Sequence, residues 1–109
     1  IDMYVQSLTQ LGITATVATA DSAAYRERTD AFDFDMTFYR VALSLSPGNE
    51  QYLYFGADSA ATPGSRNLMG VNSPAVNAMI DRLLTSASRD DFLAAAQALD
   101  RVLTSGRYV

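Results

Sequence analysis

The stretch Ser44-Leu45-Ser46-Pro47-Gly48-Asn49-Glu50 gathers hydroxyls, a carboxamide, a carboxylate and a Pro-Gly turn within a few residues. Hydroxyl and amide groups both donate and accept, so such a set can hold a peptide main chain without reading its side chains. The plainer alternative is that Pro47-Gly48 makes a turn and Asn49 caps the helix that follows. Tyr52, Tyr54 and Phe55 come next. They could stack on a ligand or simply pack a short helix, with Tyr52 the one left facing solvent. Arg40 offers a two-pronged donor for a ligand carboxylate, or for a nearby Asp. The candidate ligand contacts are therefore Ser44, Ser46, Asn49, Glu50, Tyr52 and Arg40.

Two further sets carry less. Asp33 and Asp35 would share a face of a strand, where paired carboxylates can move protons or hold a cation. Nothing near them supplies a third ligand, and acidic residues at a water-exposed strand entrance account for the pair. Arg66 and Asn67 sit in a Gly-Ser loop, where they could reach a binding cleft, cap a helix or lock the loop.

What is missing narrows the chemistry. The chain has no Cys and no His. Thiolate nucleophiles, disulfides, zinc centres and Ser-His-Asp triads are excluded within it. No glycine-rich phosphate loop is present. These absences favour a binding module over an enzyme, with no catalytic residue, metal or cofactor assigned. The net charge is −4 and the eight basic residues, all Arg, are scattered, which argues against nucleic acid. No window approaches the ~20 apolar residues of a membrane span.

The elements that must position these groups follow from periodicity. Val5, Leu8 and Leu11 recur at helical spacing from Asp2 onward, and Gly12 marks the stop. Ile13 to Ala18 reads as a β-branched strand. Asp21 or Ser22 caps a helix over residues 23–32. From Asp33 to Leu45 the period is 2, with Phe34, Met36 and Phe38 on one face, so a second strand is expected. Strand, helix, strand with short links predicts a βαβ unit with parallel strands. The loop 44–50 would then lie at the carboxyl edge of the sheet, where ligands bind. Residues 50–57 read as a short helix and 58–72 as a loop. Ser73-Pro74 opens a helix burying Val76, Met79, Ile80, Leu83 and Leu84. Ser88, with Asp91 in capping-box spacing, opens another that buries Phe92, Ala95, Ala96, Leu99, Val102 and Leu103.

This order of elements, together with five motifs, resembles a known family. Leu11-Gly12-Ile13 leads into the first strand, Tyr25-Arg26 lies in the helix, and Phe32-Asp33-Phe34-Asp35-Met36 leads into the second strand. Asn67-Leu68-Met69-Gly70-Val71-Asn72-Ser73-Pro74-Ala75-Val76-Asn77-Ala78-Met79-Ile80-Asp81 and Ala98-Leu99-Asp100 follow. Together they are similar to the peptide- and nickel-binding receptors of bacterial ABC importers, the extracellular solute-binding family 5. Ser46 to Gln51 resembles the subgroup that takes oligopeptide or microcin C-like cargo. The dipeptide and oligopeptide receptors carry an acidic site loop that anchors a peptide amino terminus. Here that loop reads Leu45-Ser46-Pro47-Gly48-Asn49, so the anchor does not carry over and Glu50 is its nearest stand-in.

The resemblance implies an α/β chain, a βαβ unit with additional helices, forming part of the carboxyl-terminal lobe of a two-lobed periplasmic binding protein. It implies a peptide or peptide-like solute held against the other lobe and passed to an inner-membrane ABC permease. It implies a periplasmic location, with a signal peptide in a longer parent, since both ends of the chain read as cuts. A small α/β regulatory or enzymatic domain is the alternative.

Overall fold

A computed structural model describes residues 1–41 and 46–109. Its elements, in order, are α1 (Asp2–Gln10), α2 (Ser22–Asp30), α3 (Glu50–Phe55), a 3-10 turn (Ala57–Ser59), α4 (Pro74–Leu84) and α5 (Arg89–Ser105). No helix among the described residues is long and apolar enough to cross a membrane.

The carboxyl-terminal half is organised by an αα-hairpin. Ser73 caps α4 through Val76 N–H, and Pro74 occupies the first turn, where its missing N–H costs nothing. Val76, Ile80 and Leu83 form the buried stripe of α4. A short turn leads to Ser88, whose Oγ accepts from Asp91 N–H at 3.2 Å. Asp91 returns a bond, but to Ala87 N–H at 3.2 Å, one residue before the cap. Ala95, Leu99 and Leu103 are the buried residues of α5. Phe92, Ala96, Val102 and Met79, also expected in the core, are half-buried, and Leu84 faces outward. Tyr54 and Phe55 of α3 and Val71 of the loop complete the core with these two helices.

Three helices end the same way, and only one uses glycine to do it. Gly12 takes a positive φ of 78°, and Ile13 N–H and Gly12 N–H reach back to Leu8 and Thr9 carbonyls. The pair of bonds is a Schellman closure. At α2 the left-handed position falls on Phe32 (φ 57°), and at α5 on Arg107 (φ 58°). Each non-glycine residue there costs on the order of 1 kcal/mol. Gly106, the evident stop signal, instead stays right-handed at φ −76°. A Cβ there would lie 2.4 Å from the Tyr108 ring, which folds back against the core. The last residues therefore close α5.

The expected βαβ unit is absent: no strand and no sheet occur among the described residues. Residues 13–18 and 34–39 are irregular, and no ladder bonds join them. They wall a cavity of about 540 Å³ between them. The Tyr25 hydroxyl bridges to Thr37 Oγ1 at 3.0 Å and to the Phe38 carbonyl. The physical reason lies in what alternation encodes. A period of 2 records two different environments for alternate side chains, whereas a strand also requires a backbone partner on its edge. Neither segment supplies one to the other. Ile13, Val17, Met36 and Phe38 remain exposed, Phe38 at 71%. The expected second strand also ran through residues 42–45, which lie outside the described residues. The radius of gyration is 16.6 Å, against about 13 Å for a compact domain of this length.

Candidate functional site

The polar turn before α3 is built from its own backbone. Gly48 C=O accepts from Gln51 N–H at 3.1 Å, starting the helix. Glu50 Oε1 curls back to accept from Gly48 N–H at 2.9 Å and from Gln51 Nε2 at 3.3 Å. The Gly48 N–H bond, then its own backbone N–H, hold the Glu50 carboxyl below its ordinary value of 4.5. Glu50 thus does the closing that the sequence assigned to Asn49. Asn49 sits at the cap position with helical φ −58° and ψ −24°, makes no cap bond and is exposed. Ser46 is exposed beside it. Ser44 lies outside the described residues.

Behind the turn, α3 divides its aromatics. Tyr54 and Phe55 are core residues at 4% and 6% exposure, so packing is their role. Tyr52 is half-buried and points its hydroxyl at Asp81 of α4. Tyr52, Gly56, Ala57, Asp58, Ser59, Asn77 and Asp81 line a cavity of about 470 Å³. Asn77 Oδ1 accepts from Ala57 N–H at 3.0 Å, tying the 3-10 turn to α4. Sequence reasoning passed over Asn77 and Asp81. Their i, i+4 spacing beside the Val76–Ile80 stripe was the available signal.

The bond to Asp81, then burial, then the Asp81 charge, raise the Tyr52 pKa above its ordinary 10.0. A raised folded pKa means the contribution to stability is complete below the unfolded value and is lost as pH rises through the folded one. In an alkaline titration followed by phenolate absorbance, Tyr52 is expected to ionise late. Tyr52→Phe should remove that late fraction, and Asp81→Ala should return it to the main tyrosine wave. A titration curve unchanged in shape by Asp81→Ala would break the assignment.

The structure groups Ser46, Asn49, Glu50 and Tyr52 on the turn and first helical residues of α3. Arg40 lies in no strand; it is exposed, with its guanidinium 5.5 Å from the Phe38 ring centroid. Asp33 pairs with Arg28 at 2.9 Å on the surface. No strand lies beneath Asp33 and Asp35, and both line the cavity of about 540 Å³. No group of His, Cys, Asp and Glu that could hold a metal occurs among the described residues.

Asn67 is a lock. Fully buried, its Nδ2 donates to Gly56 O at 3.0 Å and Val71 O at 2.9 Å, and its Oδ1 accepts from Val71 N–H at 2.9 Å. The loop turns at Gly70 (φ 64°) and closes around it. Its neighbour Arg66 stays exposed, with Nη1 3.3 Å from the Tyr54 hydroxyl.

Comparison with known proteins finds relatives that are named for binding. A Brucella melitensis protein, named as an inferred binding protein, is 50% identical over 96% of this chain. The Agrobacterium fabrum protein named "Probable peptide-binding protein YejA" is 46% identical over 97% of it. A second Agrobacterium fabrum protein, named "Peptidoglycan-binding protein YepA", is 38% identical over the same share. The chain spans only 17% of the length of each of these relatives. All three are named for binding and none for catalysis. No protein-family model matches the chain.

Proposed function

We propose that this chain is part of the carboxyl-terminal lobe of the substrate-binding component of an ABC-type importer. That component captures a peptide-like solute between two lobes in the periplasm and delivers it to an inner-membrane permease. The observation that carries this reading is the 46% identity, over nearly all of the chain, to a protein named for peptide binding. The geometry of the turn supports it. Ser46 and Asn49 present hydroxyl and amide groups from a turn clamped by Glu50 and rooted in the core through Tyr54 and Phe55. A pre-formed turn leaves little ordering entropy to oppose binding. Neutral groups that both donate and accept suit a peptide main chain. The loss of the sheet removes one earlier ground for this site, its place at a strand's carboxyl edge.

The 38% identity to a protein named for peptidoglycan binding favours a second reading of the solute, a peptide released from the cell wall. Native mass spectrometry of the full-length parent, purified from cells, tests both. A retained peptide supports transport of peptides, and an attached amino sugar points to the wall. With the solute in hand, calorimetry on the parent carrying Ser46→Ala and Asn49→Ala should show binding weaker by about 1–3 kcal/mol. Unchanged affinity would remove the turn from the site.

A further inference from the structure

The chain holds four asparagines, Asn49, Asn67, Asn72 and Asn77. Three of them are held in place. Asn67 is fully buried, with its amide bonded to Gly56 and Val71. Asn77 lies inside α4, and its Oδ1 accepts from Ala57 N–H at 3.0 Å. Asn49 has helical φ −58° and ψ −24°, and the N–H that follows it is turned onto the Glu50 carboxylate.

Asn72 differs on each count. It is exposed, lies outside any helix, and its amide makes no hydrogen bond among the described residues. The next residue, Ser73, is small and extended (φ −130°, ψ 120°), and its N–H has no partner among the described residues. The reason lies in the cap. Ser73 Oγ accepts from Val76 N–H at 3.5 Å. A reciprocal capping box would need Glu or Gln at that third position to cover the N-cap N–H. Val76 has no such group and is itself buried.

We propose that Asn72 is a site of spontaneous deamidation, with the Ser73 backbone nitrogen as nucleophile and water as the co-reactant. Solvent base removes the Ser73 amide proton, and the nitrogen attacks Cγ of Asn72. The Cγ–Nδ2 bond breaks and ammonia leaves, closing a five-membered imide. Water then opens the ring at one of its two carbonyls. Opening at Cγ leaves aspartate. Opening at the main-chain carbonyl leaves isoaspartate, whose backbone runs through Cβ and Cγ. Water enters, ammonia leaves, and nothing is oxidised or reduced. The change is independent of the solute that the parent carries.

The two products act on α4 in opposite directions. Aspartate puts a negative charge beside the helix N-terminus, where it is favourable. Isoaspartate lengthens the backbone between Val71 and the Ser73 cap. Val71 is 0% exposed, and Asn67 bonds both of its main-chain groups, so the core side cannot take up the added length. The Ser73 hydroxyl then shifts off Val76 N–H.

The test ages the folded full-length parent at neutral and mildly alkaline pH and digests it with trypsin, which cuts after Arg66 and Arg82. Asn67, Asn72 and Asn77 then share one peptide, and fragmentation mass spectrometry compares their conversion directly. Asn72 should convert at least about ten-fold faster than Asn67 or Asn77, the factor that one hydrogen bond broken beforehand adds to a barrier. Its rate should rise with pH, and an isoaspartyl methyltransferase should label the product. Ser73→Thr keeps the cap hydroxyl but crowds the nitrogen, and should slow Asn72 several-fold. Ageing in urea separates fold from residue order: Asn67 and Asn77 should speed up there, and Asn72 should not. The proposal is overturned if Asn72 ages no faster than Asn77 in the folded parent, or if Ser73→Thr ages at the wild-type rate. An Asn72 rate that climbs in urea overturns it too, because the folded parent then shields the site. The isolated isoaspartate form should melt below the Asn72→Asp variant, and equal melting would remove the effect on α4.

Discussion

Asn67→Ala is expected to cost about 3–5 kcal/mol of unfolding free energy, because it orphans three buried backbone groups at once. Gly56 O, Val71 O and Val71 N–H all bond to this one side chain, which is 0% exposed. Each buried group left without a partner costs about 1–3 kcal/mol, and water entering the gap recovers part of the sum. The damage should spread beyond the loop. Gly56 is the hinge between α3 and the 3-10 turn, where a Cβ would lie 2.5 Å from Tyr52 O. Val71 is itself a core residue. Asn67→Asp should do no better, since it keeps one acceptor but turns a carboxylate toward two carbonyls. Urea denaturation monitored by tyrosine fluorescence measures both. A cost below about 1 kcal/mol for Asn67→Ala would show that the loop is held elsewhere.

That loop illustrates what the sequence makes legible. Asn-x-x-Gly before a Ser-Pro helix start announces a turn, and the lock was one of the three roles read for Asn67. Local rules also placed α1, α2, α4 and α5 to within a residue or two, because caps and glycine or proline signals act over a single turn. The same rules missed the left-handed positions at Phe32 and Arg107, where a helix ends without glycine. The β expectation failed for a different reason. Ile13 to Val17 and Phe34 to Phe38 carry the right alternation, yet pairing is a property of two segments and their edges, and no residue pattern within one segment specifies its partner.

The candidate site was legible in part. The polar character of Ser46 to Glu50 is written in residue types, but its geometry is not. Glu50 and not Asn49 closes the turn, since a carboxylate two residues on reaches Gly48 N–H when the cap residue is already helical. Arg40 was placed by a strand that does not form. The two features absent from the sequence reading, the Tyr52–Asp81 bond and the Arg66–Tyr54 stack, join residues 29 and 12 positions apart. Only the packing of α3 against its neighbours brings them together.

Leu99→Ala should separate the real core from the one that periodicity suggests. Leu99 is 4% exposed on α5, in the same cluster as Val76 and Ile80 of α4 and Tyr54 of α3. Truncation removes apolar atoms from that cluster and leaves a cavity that neighbours on three elements cannot easily fill. The expected loss is about 2–5 kcal/mol. Leu84 has the same chemistry and a place in the same heptad-like pattern, yet it is 37% exposed at the end of α4. Leu84→Ala should therefore cost less than about 1 kcal/mol. Chemical denaturation of the two variants side by side cancels the difference in residue type and reads burial alone. Equal losses would mean that Leu84 is covered. A loss below about 1 kcal/mol for Leu99→Ala would mean that the α4–α5 hairpin does not form the core around which α3 and its polar turn are built.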